Sequence, residues 1–442
     1  MNCDREPFIP FPRRDIIQLC LTDGRLDEAA QAAFQSFCEL LTALCHFQFH
    51  HTLEDIKHNY RVFNPNADVQ PLHAPSLAEY EAMGQQLLQS FEHILERANY
   101  LPLPKATLEQ ALQERSLISL KTQVDFDDFE QLRCFYRGRG EQTLTVKKLF
   151  FWTTEKTIDT LDRLVMLIHF KGAGYFEKKA AQQRQKPDNR FTPGKIYVYF
   201  YKNIPTLDLD LLFPNIQTSM TLRDRLMLAV PGVGAAIPVL IKVLPNLVLL
   251  FAAILLAFNA NSVLDSATLE SVDVAASEAR NIMPVLVATL TLVIALGGFM
   301  FKQYTQYKNK KIRFQKEVTD TLFFKNLANH ASVFQMLGDI AEEEDCKEMI
   351  LVYYHLLTSS VPLTAEALDA QIETWMLNKT GATINFDIQG PLNNLADIQA
   401  SLRSGQAKQS LLSFDPQGHC QVLPLQTAQA VIDTVWDNAF SV

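Results

Sequence analysis

Three side chains have the spacing of a metal site on a helix. His46 and His50 are four residues apart, as are His50 and Glu54, so one helix face would present two imidazoles and a carboxylate. The HExxH arrangement is absent, and two histidines without a third do not define a site. An amphipathic helix with histidines at its polar edge explains the pattern as well. We therefore predict no metal ion and no other cofactor.

A second group of candidates is an acidic run, Glu342-Glu343-Glu344-Asp345, followed by Lys347 and Glu348. Such carboxylates could bind a divalent cation or perform acid–base chemistry, which is the basis of a membrane-bound hydrolase hypothesis. Consecutive residues on a helix point in different directions, so a solvated helix surface is the favoured interpretation. The sequence has no P-loop, no complete dinucleotide fingerprint and no GxSxG elbow, so we predict no catalytic residue.

Two apolar runs near the middle of the chain indicate where the protein lies. Residues 237–258 and 282–301 each have the roughly 20 residues that a helix needs to cross a bilayer. We therefore predict a transmembrane hairpin in contact with the lipid bilayer, preceded by an interfacial helix. Cations flank the hairpin and the connecting loop is acidic, which predicts that both termini are cytoplasmic. The interface and topology residues are Arg223, Arg225, Lys242, Lys302, Lys308, Lys310, Lys311 and Arg313.

Inside the hairpin, Asn246 and Thr291 are at similar depth and are predicted to face each other. Lys242 falls in the first turns of the first span, where a side chain reaching back to the headgroups is the favoured interpretation. The second span contains no Asp or Glu that would pair with a proton-relay lysine.

The remaining sequence predicts a membrane-anchored α+β protein. A helical region, 1–118, precedes a small antiparallel β domain, 119–215, with a tight turn at residues 137–140. Residues 219–301 hold the interfacial helix and the hairpin, and 302–360 are helical. Residues 361–442 alternate helix, strand and hairpin in the order of a winged helix. Ser76 and Glu79 have the spacing of a capping box.

Charge and composition exclude some partners. The net charge is −9, and residues 302–442 carry 11 basic and 16 acidic side chains. Because phosphate contacts dominate nucleic-acid affinity, we predict no nucleic-acid partner. Residues 1–14 contain Asp4 and Glu6 and lack the pattern of a transit peptide. A bacterial inner membrane is therefore favoured over a mitochondrial inner membrane.

Several segments resemble a family of membrane proteins of unknown function, domain of unknown function 3754, which includes transmembrane protein 143. The resemblance implies an architecture and a membrane location and no activity. Asp210 stands where the family usually has Glu. The residues that carry the match are Asn203, Pro205, Asp208, Asp210, Pro214, Lys325, Glu343, Glu344, Lys347, Glu348 and Tyr353.

Three functions stay open at this point. The leading hypothesis is a non-enzymatic, membrane-anchored scaffold that recruits a protein partner through its cytoplasmic parts. The alternative is a homo-oligomeric two-span channel or transport accessory subunit, for which small residues in the hairpin would permit close packing. The hydrolase comes third.

Overall fold

The computed structural model describes most of the sequence outside the predicted hairpin. The described residues are 5–67, 71–104, 106–108, 121–148, 152–183, 190–219, 322–403 and 407–439, with scattered positions between 287 and 319. They fall into two compact units. Unit 1 comprises Met1–Ala111, Asp125–Asn215 and Lys325–Val442, and unit 2 comprises Leu112–Val124 and Ile216–Phe324.

Eight named helices belong to unit 1. They are α1 (Arg13–Thr22), α2 (Glu28–Tyr60), α3 (Leu77–Arg97), α4 (Ala173–Gln183), α5 (Ala331–Leu357), α6 (Ala365–Thr380), α7 (Gln389–Asp397) and α8 (Leu425–Asn438). The predicted capping box is confirmed, since Ser76 and Glu79 bond to each other's backbone at the start of α3. Asp27 and Thr364 are the N-caps of α2 and α6, and the side chain of each accepts one hydrogen bond from a backbone N–H of the first turn.

Eleven strands complete the described structure. They are β1 (Leu101–Pro102), β2 (Lys121–Gln123), β3 (Phe129–Lys148), β4 (Trp152–Phe170), β5 (Ile196–Pro205), β6 (Gln217–Ser219), β7 (Asn326–Asn329), β8 (Gln399–Ala400), β9 (Gln409–Ser410), β10 (Leu412–Phe414) and β11 (Cys420–Val422). Five of them form an antiparallel sheet in the order β1-β3-β4-β5-β7. In unit 2, β2 pairs with β6. The α+β class and the antiparallel sheet are thus confirmed.

The turn predicted at residues 137–140 is wrong, because β3 runs through it. Gly138 takes a φ of +77° inside the strand, and a Cβ there would meet the Asp162 side chain of β4 at 2.5 Å. The glycine therefore permits a local irregularity between the pairs Arg137–Arg163 and Arg139–Leu161. A glycine in a β-rich segment indicated a chain reversal, whereas here it allows the backbone of β3 to lie close to the Asp162 side chain of β4.

Helix α5 lies at the centre of unit 1. Its C-terminal half packs with α1, α2, α6, α7 and α8 in one apolar core, in which Phe37 stacks on Tyr353 with ring centroids 4.0 Å apart. Its N-terminal turns join a second core against one face of the sheet, where Tyr60 and Phe91 contact Phe334. Because the C-terminal half of α5 is covered on several sides, some of its charged residues are buried as well.

The predicted hairpin lies largely outside the described residues. The structure does not describe Arg223, Arg225, Lys242, Asn246, Lys310, Lys311 or Arg313. Every described position from 287 to 325 is helical, and Lys302 and Lys308 are exposed there. The Thr291 hydroxyl donates to the Val287 carbonyl in its own helix, at 2.7 Å. Among the residues that the structure describes, no helix is both long and apolar enough to cross a membrane.

Candidate functional site

Four charged residues, close together on α5, form a buried cluster. Glu344, Asp345, Lys347 and Glu348 are each at most 4% exposed. The interpretation of this run as a solvated helix surface is therefore wrong. Helical geometry does spread the four side chains in different directions, but neighbouring segments cover each direction.

Asp345 is held by the end of α3 and by α7. The Arg97 guanidinium forms an ion pair with the Asp345 carboxylate, and the Asn394 side-chain amide donates to its other oxygen at 2.5 Å. Burial raises the pKa of Asp345, against the opposing effects of Arg97 and Asn394. Arg97 also lies over the Phe49 ring of α2, 4.2 Å from its centroid.

Glu344 and Lys347 grip the segment that precedes α1, here called the strap (residues 5–12). Lys347 Nζ donates to the Ile9 carbonyl at 2.7 Å and to Glu344 Oε1 at 2.9 Å. Glu344 Oε2 accepts from the Ile9 backbone N–H at 3.2 Å. One acid and one base therefore bind both main-chain groups of the same residue.

Arg137 of β3 completes this side of the cluster. Its Nη1 lies 3.6 Å from Glu344 Oε1 and donates to the Ala98 carbonyl at 3.2 Å. The same guanidinium stacks on the Phe8 ring of the strap, 4.5 Å from the centroid. Arginine is suited to this position because its planar guanidinium can pair with a carboxylate and stack on an aromatic ring at the same time.

Glu348 has a neutral partner in place of a cation. Asn99 follows the end of α3 with a φ of +59°, a left-handed conformation that asparagine tolerates at a helix C-terminus. This turn aims its amide at Glu348 Oε1, 2.7 Å away. Burial is the main cause that raises the pKa of Glu348 well above its ordinary value, and Asp345 and Glu344 raise it further.

We predict that Glu348→Gln stabilises the protein above about pH 5. A carboxyl whose pKa is raised by folding contributes full stability below its unfolded pKa, about 4.3, and loses it as the pH rises through the folded value. Glutamine keeps the acceptor for Asn99 and carries no charge. The variant's advantage in free energy of unfolding should grow with pH by about 1.4 kcal/mol per unit until the folded pKa is passed.

Denaturant unfolding between pH 4 and pH 9 measures this advantage. Glu366→Gln, at an exposed position on α6, is the matched control and should show no such slope. A Glu348→Gln curve parallel to the wild-type curve would mean that Glu348 is charged in the folded protein.

The candidate metal residues on α2 are not brought together. His46 is exposed and its Nδ1 lies 2.8 Å from Glu342 Oε2, while Glu54 pairs with Lys57 at 2.8 Å. His50 is exposed on the same helix. Within the described ranges, no group of three or more His, Cys, Asp and Glu side chains could hold a metal ion.

A further set of predicted residues lies where β5 ends. Asn203 has a φ of +50°, and Pro205 leads into a 3₁₀ helix, Thr206–Leu212, that contains Asp208 and the buried Asp210. Lys325 precedes β7. Burial lowers the pKa of Lys325, and the negative charge of Asp208 opposes that effect. Pro214 lies in the turn that follows.

The comparison with known families concerns this region of the chain. Residues 161–332 match a family model described as "Protein of unknown function (DUF3754)". Residues 161–332 are thus similar to this family of unknown function. The resemblance inferred from the sequence is confirmed over that range. No solved structure matches the chain.

The DUF3754 segment and the buried cluster occupy different parts of the sequence. Asn203 through Lys325, with both predicted spans, lie inside the DUF3754 match, whereas Glu343 through Tyr353 follow its last residue, 332. The two regions meet in the fold, because β5 and β7 of the DUF3754 segment pack with the first turns of α5.

Sequence reasoning missed five residues that complete the cluster. They are Ile9, Arg97, Asn99, Arg137 and Asn394. They come from four segments, since Arg97 and Asn99 both lie at the end of α3, and none shows a motif or a helical spacing that points to α5. The only local signal is Asn99, an asparagine just after a predicted helix.

The arrangement is suited to holding segments together. Its carboxylates are occupied by Arg97, Lys347 and Asn99, and its cations by carboxylates and carbonyls. A surface groove of 480 Å³, lined by residues that include Tyr80 and Lys195, contains none of these charged side chains. A buried network of ion pairs and hydrogen bonds specifies one arrangement of its segments.

Proposed function

We propose that this protein is a membrane-anchored scaffold, whose unit 1 recruits a protein partner at the membrane surface. In this proposal the predicted hairpin anchors it in a bacterial inner membrane, with both termini in the cytoplasm. Two features support this proposal. Unit 2 contains an apolar helical segment, and the buried charged groups of unit 1 join its segments.

One observation carries the membrane part of the proposal. Val287, Leu290, Ile294 and Phe301 are helical and 58–72% exposed. Their spacing of three, four and seven residues places them on one helix face. Such a stripe of large apolar side chains is unfavourable in water and favourable in lipid. Exposed Lys302, Lys308 and Lys316 follow it, as expected of a cytoplasmic flank.

The C-terminal part supports the recruitment role. The order α6, α7, β8 with β9, the β10–β11 hairpin and α8 resembles that of a winged helix. Helix α7 contains no Lys or Arg, which disfavours a phosphate-binding use of that surface. A winged helix without a basic face is suited to contacts with protein.

Alkaline extraction of membranes tests the anchor. We expect the wild-type protein to stay in the pellet and the double variant Leu290→Arg/Ile294→Arg to appear in the supernatant. Each arginine at the centre of a span costs about 2.5–3.5 kcal/mol on insertion scales.

The matched control places the same change outside the segment. Leu72→Arg/Val361→Arg alters two side chains that are 91% and 60% exposed, and it should leave the protein in the pellet. Release of the wild-type protein by carbonate would refute the anchor.

A further inference from the structure

The way in which unit 1 holds its strap differs from ordinary core packing. The strap contains Pro7, Pro10 and Pro12, forms no helix, and has one fully buried side chain, Ile9, at 2% exposed. Prolines keep such a segment extended and reduce the entropy that it loses on ordering. It resembles a bound peptide more than an element of the core.

The contacts that hold the strap are made mainly to its backbone. Glu6 adds a parallel bridge beside Ile384, with its N–H donating to the Thr383 carbonyl at 3.1 Å and its carbonyl accepting from Asn385 at 2.9 Å. Three residues later, Glu344 and Lys347 bind the N–H and carbonyl of Ile9. Lys347 also donates to the Phe11 carbonyl at 3.2 Å.

Side-chain contacts add selectivity: Arg5 forms an ion pair with Glu373 at 2.8 Å, and Phe11 packs against the larger core. Phe8 stacks under the Arg137 guanidinium, and Ile9 enters the apolar core. Backbone hydrogen bonds combined with pockets for a few side chains are the usual mode of peptide recognition by strand addition. The surface that holds the strap, here called the strap groove, is formed by α5, β3 and residues 383–385.

We propose that the strap groove is a peptide-binding site that recruits a partner through an extended aromatic–aliphatic–proline segment. The strap, with Phe8-Ile9-Pro10, occupies it in cis and competes with that partner. The buried side chains of Glu344 and Lys347 then serve to bind the backbone N–H and carbonyl groups of a peptide. This inference names the partner class for the scaffold proposed above and rests on its recruitment role, but not on its anchor.

Peptide binding to the full-length protein in detergent tests the proposal. The probe is a fluorescent peptide with the sequence of residues 5–14. The variant Ile9→Asp weakens the strap in cis and leaves the groove residues unchanged, so it should bind the peptide saturably with 1:1 stoichiometry. The wild-type protein should not saturate below about 1 mM, because a tethered segment has an effective concentration in the millimolar range.

Two methylated peptides test the backbone clamp itself. Methylation of the Ile9 nitrogen removes the donor to Glu344, and we expect binding to weaken about tenfold or more, as for loss of a hydrogen bond to a charged group. Methylation of the Phe8 nitrogen is the control, since that nitrogen has no acceptor among the described residues, and it should have little effect. Equal affinities of the two peptides would overturn the clamp.

The remaining outcomes are also decisive. A folded Ile9→Asp protein that ignores the peptide at 1 mM would overturn the proposal, as would strap-dependent dimers of the wild-type protein, which would make a second copy the occupant. Phe8→Ala is a milder second variant. If neither variant folds, the strap is part of the core and the proposal fails. Carbonate release of a protein that still binds peptide would refute the anchor alone.

Discussion

Replacing Arg97 with methionine is expected to lower the free energy of unfolding by about 3–5 kcal/mol, because it leaves Asp345 buried without its cation. Asp345 is 2% exposed and lies next to Glu344 and Glu348. Methionine retains most of the apolar contact with Phe49 and removes the charge. Denaturant unfolding at pH 7, followed by circular dichroism, measures the loss.

A double variant separates the charge from the packing. Arg97→Met/Asp345→Asn removes both charges, keeps an acceptor for Asn394, and should recover most of the loss, since the cost comes from an unpaired buried charge. Arg133→Met is the exposed counterpart. Arg133 pairs with Glu92 at 2.7 Å, but the two side chains are 45% and 39% exposed, so its loss should cost less than about 1 kcal/mol. Equal costs for Arg97 and Arg133 would show that the cluster is hydrated.

Truncation of Phe37 to alanine is expected to cost about 3–5 kcal/mol. The ring is fully buried in the larger core and stacks on Tyr353, so alanine removes this contact between α2 and α5 and leaves a cavity. The same unfolding measurement applies. The expected order of stability is wild type, then Phe37→Leu, then Phe37→Ala.

Phe414→Ala provides the comparison for this variant. Phe414 lies on β10 with 53% of its surface exposed, and its loss should change stability by no more than about 0.5 kcal/mol. A Phe37→Ala protein as stable as Phe414→Ala would mean that the α2–α5 contact adds little to folding.

Features set by neighbouring residues were predictable from the sequence. The Ser76–Glu79 capping box is confirmed because both of its hydrogen bonds close within three residues. The β-rich character of residues 129–205 follows from branched and aromatic side chains. The lengths of β3 and β4 were not predictable, since Gly138 has the same sequence signal in a turn and in a strand irregularity.

The burial of the α5 charges could not be predicted for a different reason. Arg97 is 248 residues from Asp345, and Ile9 is 335 residues from Glu344. A window along the sequence shows alternating charges that fit a water-facing helix equally well. Only the tertiary partners distinguish a solvated surface from a satisfied interior.

The strap is synthesised long before α5, to which it binds. At about 5–20 residues per second, roughly 17–70 s pass between the emergence of Ile9 and that of Glu344. During that time the apolar face of α2 has no partner from α5, and residues 237–301 leave the ribosome before α5 does. In the proposed anchor, membrane insertion would precede completion of unit 1. The nascent N-terminal half therefore waits in an unfinished state, with the apolar face of α2 uncovered by α5.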